Sequence, residues 1–257
     1  MCRWIAYEGT PIPLELYVTK PKHSLISQSL NALEATASIN GDGFGLGWYG
    51  DYREPGLYHE VRPAWSDQNL RNVCRHIHSR LFFAHARAAT GTGVAHANCH
   101  PFAYGEWMFM HNGFVAEWPS LRRSIENLIP DALYPCRAGT TDSEAIFLAI
   151  LGAGAADEPV AATARVLGHL EEMLRLRGPE NQLRFTAALT DGDTIYAFRY
   201  AVNDSANTLY YRSGADGTVI ASEPLDKDRT LWEAVPESHF LAAESRKLPA
   251  VYPFVPS

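Results

Sequence analysis

The sequence has few cysteines and no recognisable metal-binding motif. Its 257 residues include 4 cysteines at wide, irregular spacings, which argues against the disulfide framework of a small secreted protein. The 10 histidines contribute to two short clusters with cysteine, at residues 74–78 and 96–100. Neither cluster contains a CxxC pair or the glutamate of an HExxH helix. We therefore expect neither a metal ion nor another cofactor.

Long apolar runs and basic clusters are missing as well. No stretch approaches the length of a membrane span, and the N-terminus lacks a basic-plus-apolar signal segment. The net charge is −7, from 22 basic and 29 acidic residues, and no cluster of Lys and Arg offsets it. We expect a cytoplasmic protein that binds neither membranes nor nucleic acid.

The remaining composition is that of an ordinary globular protein, with 46% hydrophobic and 20% charged residues. The chain is long enough to bury a sizeable core. No internal repeat, low-complexity segment or Pro/Ser-rich boundary divides it. We therefore expect a single domain that spans residues 1–257.

Hydrophobic patterns predict an α+β fold in which helices cover β-sheets. Strands are expected at 3–7, within 40–49, and at 81–87, 107–111, 184–189, 194–200, 209–212 and 218–221, with a turn at 9–13 and a hairpin over 51–64. Helices are expected at 25–36, 67–79, 121–128, 141–151 and 157–177, the first of them capped by Ser24. Glycines 43, 45 and 47 lack the spacing of a dinucleotide-binding loop. They predict a strand that other backbone approaches closely.

Four places carry polar residues at the ends of buried strands or at the start of a helix. They are Cys2, Arg87 with Thr90, Asn112-Gly113, and Asp142. A thiolate attacks carbonyl carbon, and an Asn amide beside a Gly N–H offers two donors to an oxyanion. An Arg fork holds a carboxylate, and an Asp holds an ammonium group. Together these groups fit glutamine or another γ-glutamyl compound.

Each of these residues also has a more ordinary interpretation. Arg87 could form an interior ion pair, and Asn112-Gly113 is first of all a turn dipeptide. Asp142 could cap the helix that follows, with Thr141 sharing that role. It is the joint fit to one substrate that favours the functional interpretation.

Six motifs occur in order along the chain: Met1-Cys2, GDGFG at 41–45, HARAAT at 85–90, HPF at 100–102, HNG at 111–113 and TDSE at 141–144. Together they resemble class II glutamine amidotransferase domains, which are N-terminal-nucleophile hydrolases. Residues 221–225 and 235–236 resemble the closing strands of that domain, so the resemblance covers nearly the whole chain. It implies a four-layer αββα sandwich.

The resemblance also implies roles for individual residues. Once Met1 is removed, Cys2 is the nucleophile and its own α-amine is the general base. The oxyanion hole consists of Asn112 and Gly113, and the substrate-binding residues are Arg87, Thr90, His100 and Asp142. The sequence departs from glucosamine-synthase-type members, which carry Trp and His where this chain has Ala88 and Gly91. This departure leaves more room beside the γ-glutamyl group.

The sequence leaves three functions open. Residues 1–9, 21–25 and 28–29 most resemble the γ-glutamyl hydrolases of the ergothioneine pathway, which remove γ-glutamate from a hercynylcysteine sulfoxide conjugate. The chain could thus be a stand-alone hydrolase that acts through a γ-glutamyl thioester. It could instead be a glutaminase subunit that supplies ammonia to a separate synthase. The third alternative is a catalytically silent binding module.

Overall fold

The structure, a computed structural model, describes residues 2–34, 39–89, 91–245 and 247–257. The strands are β1 (Arg3–Pro13), β2 (Phe44–Trp48), β3 (Gly56–Glu60), β4 (His78–Ala86), β5 (Phe102–Tyr104), β6 (Trp107–Val115), β7 (Leu183–Thr190), β8 (Thr194–Val202), β9 (Tyr210–Gly214), β10 (Gly217–Ala221), β11 (Glu233–Ala234), β12 (His239–Glu244) and β13 (Ala250–Pro253). The helices are α1 (Glu15–Val18), α2 (Leu25–Leu30), α3 (Gln68–His76), α4 (Trp118–Glu126), α5 (Asp142–Gly152) and α6 (Pro159–Arg177). Short 3₁₀ turns occur at Ala64–Ser66, His96–Asn98, Tyr134–Cys136 and Arg229–Leu231.

The strands form two antiparallel sheets. The first sheet has the order β11-β9-β10-β1-β4-β2-β3, and the second has the order β13-β12-β8-β7-β6-β5. Strand β1 therefore lies in the interior of the first sheet, between β10 and β4. This placement holds the start of the chain at a central position in the sheet.

Alternating side chains divide the interior into three apolar layers. Along β4, Phe83 packs between the two sheets, whereas Phe82 packs against helices α1 to α3. Along β6, Met108 and Met110 face the first sheet, and Phe109 packs against α4 to α6. This period of two is the geometry of a strand that is buried on both faces. The layers run helix, sheet, sheet, helix, which confirms the predicted αββα sandwich.

Most of the predicted strands and helices are present, with shifted ends. The strands expected at 81–87, 184–189, 194–200, 209–212 and 218–221, and the helices expected at 67–79, 121–128, 141–151 and 157–177, are confirmed with ends moved by a few residues. Among the helices of the described residues, none has both the length and the apolar character that a membrane span needs.

Three local predictions were wrong. The turn expected at 9–13 is part of β1, because a register shift between Glu8 and Ile12 absorbs the Gly/Pro segment and pairing with β4 resumes. The hairpin expected over 51–64 is instead the pair β2–β3, and residues 49–55 connect its strands. The strand expected to end at His111 continues to Val115.

The helix expected at 25–36 is also shorter than predicted. Ser24 caps it as expected, by accepting a hydrogen bond from Ser27 N–H, but the helix ends at Leu30. Beyond that point the N–H groups of Leu33 and Glu34 donate to the Glu223 carboxylate instead of continuing the helix. Residues 35 and 36 of the prediction lie outside the described residues.

The glycine-rich segment is the closely approached strand that its sequence predicts. It forms β2, between β4 and β3. A Cβ on Gly45 would lie 2.1 Å from the carbonyl oxygen of His100, and a Cβ on Gly47 would lie 2.5 Å from Met108 Sδ. Gly45 therefore permits backbone near the second sheet to contact the first sheet directly.

We expect Gly45→Ala to lower the free energy of unfolding by about 1–3 kcal/mol, because the new methyl group forces the His100 backbone to move. The matched control is Gly50→Ala, because a Cβ at Gly50 would meet nothing within 4 Å. Denaturant unfolding of both variants measures the difference. Equal stability of the two variants would contradict this account of β2.

Candidate active site

Cys2 directly precedes β1 and lies against the backbone that follows β4. Its sulfur accepts a hydrogen bond from Ala88 N–H at 3.5 Å and lies 3.6 Å from the Ala88 carbonyl oxygen. Burial raises the pKa of the Cys2 thiol, and the Ala88 N–H bond and the Arg87 charge lower it by less. The thiol is therefore protonated at neutral pH and needs a base before it can attack a carbonyl carbon.

Asn112, in β6 of the second sheet, contacts the nitrogen of Cys2. The Cys2 nitrogen donates to Asn112 Oδ1 at 3.0 Å, and the Asn112 backbone oxygen accepts from Asn207 Nδ2 at 2.9 Å. Asn112 is 1% exposed, and its Nδ2 has no hydrogen-bond partner among the described residues. A buried donor without a partner lowers stability by about 1–3 kcal/mol. The Asn112 amide is therefore a donor beside the thiol that is available to an acceptor.

Gly113 follows Asn112 within β6, so the pair is not a turn. The two residues pair with Thr186 and Phe185 of β7. A Cβ on Gly113 would lie 1.9 Å from the Arg184 carbonyl oxygen and 2.3 Å from His111 Nε2. The close approach of β7 thus excludes any side chain at this position. The alternative interpretation as a hairpin turn is wrong.

Arg87 follows β4 and is 3% exposed. Its Nη2 donates to Thr92 Oγ1 at 2.7 Å, and its Nη1 donates to the Asp42 carbonyl oxygen at 3.3 Å. No carboxylate of the described residues lies within ion-pair distance of its guanidinium, so the alternative of an interior ion pair has no support in this part of the chain. A buried guanidinium with only neutral partners is suited to binding an anion.

Asp142 is the first residue of α5, and Thr141 is the cap. Asp142 Oδ1 accepts from Ser143 N–H at 2.8 Å, and Oδ2 accepts from Val115 N–H at 3.0 Å. The carboxylate therefore joins the start of α5 to the end of β6, two residues beyond Gly113. Ser143 Oγ also donates to Oδ1, at 3.3 Å. Oδ2 can accept a further hydrogen bond, so Asp142 can also bind a cation.

His100 lies in a buried stack of aromatic rings. Its ring packs on His85, with centroids 4.2 Å apart, and against Phe102. Neither of its ring nitrogens has a partner among the described residues. Burial lowers the pKa of His100 well below its ordinary value, and burial lowers the pKa of His85 to about 3. Both rings are neutral at pH 7.

The remaining predictions concern Thr90 and metal binding. Thr90 lies outside the described residues, so its contact with a substrate carboxylate stays a prediction. Residues 74–78 and 96–100 form no cluster of three or more metal-binding side chains within the described chain. The 4 cysteines are free thiols. The expected absence of a metal stays a prediction.

Sequence reasoning missed several side chains that hold this region together. Asp42 Oδ2 accepts from Ala89 N–H at 2.8 Å, and Thr92 is a partner of Arg87. Asn98 donates to the Gly93 carbonyl oxygen at 2.9 Å and accepts from Thr140 N–H at 2.8 Å. Asn98 thereby connects the loop that carries Thr92 to the segment before Asp142. Only the Asp of the GDGFG motif gave any signal in the sequence.

Comparison with known proteins identifies the family. The family model described as class-II glutamine amidotransferases matches residues 18–211. The chain belongs to this family. A glutamine aminotransferase class-II domain protein from Silicibacter pomeroyi, of known structure, is 36% identical over 100% of both chains, with a TM-score of 0.79.

Two curated relatives align with nearly the whole amidotransferase chain. The probable glutamine amidotransferase DUG3 of Saccharomyces cerevisiae is 31% identical over 96% of this chain and 83% of its own. The γ-glutamyl-hercynylcysteine sulfoxide hydrolase of Mycolicibacterium smegmatis is 28% identical over 94% and 95%. The glutamine phosphoribosylpyrophosphate amidotransferase of B. subtilis, at 13% identity and a TM-score of 0.63, shares the fold over 50% of its chain.

The buried histidines predict how stability depends on pH. An unfolded histidine has a pKa of about 6.5, so below that pH the unfolded chain binds protons that the folded chain does not. The free energy of unfolding therefore falls as the pH decreases from about 6.5 towards 3. We expect His100→Phe to reduce this slope by up to ~1.4 kcal/mol per pH unit.

Denaturant unfolding at several pH values measures the slope. The matched control is His169→Gln on α6, because the His169 side chain is exposed, and we expect the wild-type slope from it. A wild-type slope in His100→Phe would show that His100 is not held neutral in the folded protein.

Proposed function

We propose that this protein hydrolyses a γ-glutamyl amide bond and that Cys2 is its nucleophile. The observation that carries the proposal is the side chain of Asn112. Its Oδ1 accepts from the Cys2 nitrogen at 3.0 Å, while its Nδ2 is a buried donor with no partner among the described residues. An electrophile that reaches the sulfur would thus meet a donor of the kind that stabilises an oxyanion.

The first half-reaction begins with the amino terminus. Removal of Met1 turns the Cys2 nitrogen into a primary amine, whose ordinary pKa of about 7.7–8.0 leaves it partly neutral near pH 7. This amine takes the thiol proton, directly or through a water molecule. The sulfur then bonds to the γ-carbonyl carbon, and the oxyanion is held by Asn112 Nδ2 and the Gly113 N–H.

Collapse of this intermediate breaks the C–N bond, and the α-ammonium returns its proton to the leaving amine. A γ-glutamyl thioester on Cys2 remains. A water molecule then attacks the thioester carbon and gives a proton to the α-amine. The C–S bond breaks, the thiol is reprotonated and glutamate leaves.

The charged side chains near the thiol are assigned to the charged groups of the substrate. We assign the α-carboxylate of the substrate to Arg87, whose partners among the described residues are neutral, with Thr90 as a further contact. The α-ammonium group is assigned to Asp142, which is anchored to Val115 N–H. His100 is assigned to the pocket wall as a neutral ring. No metal or other cofactor takes part.

The leaving amine distinguishes the alternatives. We favour a γ-glutamyl conjugate larger than glutamine, because Ala88 and Gly91 leave room where related enzymes carry larger side chains. The relative named as a γ-glutamyl-hercynylcysteine sulfoxide hydrolase aligns over almost the full length of both chains, which supports this choice. A glutaminase that passes ammonia to a synthase partner is the second candidate, supported by the similarity to DUG3. A catalytically silent module is the third.

The sequence is also the basis for the domain organisation and the cellular compartment. We propose from the sequence that residues 1–257 act as one domain and that the protein works in the cytoplasm.

The proposed function is tested by measuring the glutamate that the purified protein releases from γ-glutamyl substrates. Removal of Met1 is first verified by intact mass. We expect release from a γ-glutamyl thioether-sulfoxide conjugate, and none from Cys2→Ala or from a form that retains Met1, which has no α-amine on Cys2. Asn112→Ala should lower kcat by about 10²–10³-fold, the usual cost of losing one oxyanion donor.

The matched control is Cys136→Ala, since Cys136 is an exposed free thiol, and it should keep wild-type activity. Release of glutamate by Cys2→Ala would rule out the proposed nucleophile. If glutamine is cleaved well only with a co-purified partner, the synthase-linked alternative is correct. If no γ-glutamyl compound is cleaved, the silent module is correct.

A further inference from the structure

Arg3 is a fully buried arginine next to the proposed nucleophile. It is 0% exposed and lies at the start of β1. Its Nε donates to the Cys2 carbonyl oxygen at 2.7 Å, and its Nη1 donates to Glu223 Oε1 at 2.7 Å. The proposed mechanism gives no role to either residue, although burial of an ion pair carries a large desolvation cost.

Glu223 is anchored by three further donors. It is 1% exposed, and its Oε2 contacts His23 Nε2 at 2.8 Å and accepts from Leu33 N–H at 3.0 Å. Its Oε1 also accepts from Glu34 N–H at 2.9 Å. Burial alone would raise the pKa of this carboxyl, but the His23 and Leu33 contacts and the charge of Arg3 lower it overall. The carboxylate is therefore a fixed, ionised anchor for the guanidinium.

The segment that carries Glu223 is also attached to β1 itself. Ser222 N–H donates to the Trp4 carbonyl oxygen at 3.0 Å, and Trp4 N–H donates to Ser222 Oγ at 3.1 Å. Arg3 thus lies between two places at which the chain is held: Cys2 on one side and the Trp4–Ser222 contact on the other. The backbone on both sides of Arg3 is therefore held in place.

An N-terminal residue needs such a holding contact more than other residues do. After Met1 is removed, Cys2 is joined to the protein by one peptide bond. Rotation about its Cα–C bond then moves both the amine and the sulfur. A contact on the Cys2 carbonyl fixes the plane of that peptide, and the Asn112 contact on the Cys2 nitrogen fixes the rotation. Together the two contacts define where the sulfur lies.

We propose that Arg3, anchored by Glu223, is a positioning residue that holds the Cys2 carbonyl and thereby orients the thiol and the α-amine towards Asn112. The inference rests on the proposed function, which it deepens. The planar fork of arginine presents Nε and Nη1 in a fixed relation to two acceptors, whereas the single nitrogen of lysine cannot reproduce that relation.

Arg3→Lys and the double variant Arg3→Met/Glu223→Gln test the inference. Arg3→Lys keeps the charge and loses the fork, and the double variant removes the ion pair without leaving a buried charge unpaired. We expect both to lower kcat by about 10²-fold while KM changes little, since a misplacement of about 1 Å has that effect. The matched control is Arg165→Lys, because Arg165 also donates to a backbone carbonyl, that of Ala153, and pairs with a carboxylate, that of Glu158.

Alkylation of Cys2 gives a readout that a purely structural role would not change. The pH dependence of iodoacetamide labelling is followed on the N-terminal peptide, and the exposed Cys136 serves as the internal standard. We expect the midpoint for Cys2 to rise in the double variant, because the α-amine is no longer held where its positive charge favours the thiolate, while labelling of Cys136 stays unchanged. The Arg165→Lys control should match the wild type in labelling and in kcat.

Several results would overturn the inference. These are a wild-type kcat in either Arg3 variant, a loss confined to KM, or an unchanged Cys2 midpoint in the double variant. Loss of a cooperative thermal transition in both variants would do so too, because Arg3 would then be needed for folding. If the wild type cleaved no γ-glutamyl compound, the proposed function would fail, but the labelling comparison would still decide the role of Arg3.

Discussion

The hydrogen bond between the Cys2 nitrogen and Asn112 Oδ1 joins the two sheets at the start of the chain. Cys2 precedes the central strand of the first sheet, and Asn112 lies within β6 of the second. The bond places a thiol, a nitrogen and an amide donor within one small volume. The proposed site depends on this contact, because the proposed substrate-binding groups are useful only if the thiol has a fixed position.

Burial of the polar groups around this contact costs free energy, and hydrogen bonds within the protein fix most of them in place. Arg87 is fixed by Thr92 and the Asp42 carbonyl, and Asp142 is fixed by Val115 N–H. Asn112 Nδ2 has no partner among the described residues. Unpaired donors and cations of this kind are stable inside a protein only when the surrounding structure determines their positions. A substrate that supplies the missing acceptors would relieve that cost.

The sequence predicted the layers better than the details of the site. Continuous apolar runs predicted the buried strands, because a strand covered on both faces needs apolar residues at every position. The turn expected at 9–13 was wrong, since local Gly/Pro preference yielded to pairing between β1 and β4. Asn112-Gly113 also suggested a turn, because the dipeptide is common in turns. Its glycine is instead required by the close approach of β7.

Contacts between distant parts of the chain could not be predicted. Arg3 and Glu223 are 220 positions apart, and no local pattern distinguishes a buried pair from two exposed charges. The early end of α2 has the same origin, because the Glu223 carboxylate attracts the N–H groups of Leu33 and Glu34. The motif order predicted which residues belong to one site, and tertiary packing decides how the described ones are held.

The most direct test of the account is the mass of the N-terminal peptide during turnover. Protein lacking Met1 is mixed with a γ-glutamyl substrate, quenched in acid within the steady state, and digested. The account predicts that the peptide beginning at Cys2 carries one glutamyl group, which neutral hydroxylamine removes. A peptide that remains unmodified while glutamate accumulates, or a glutamyl group on another residue, would contradict it.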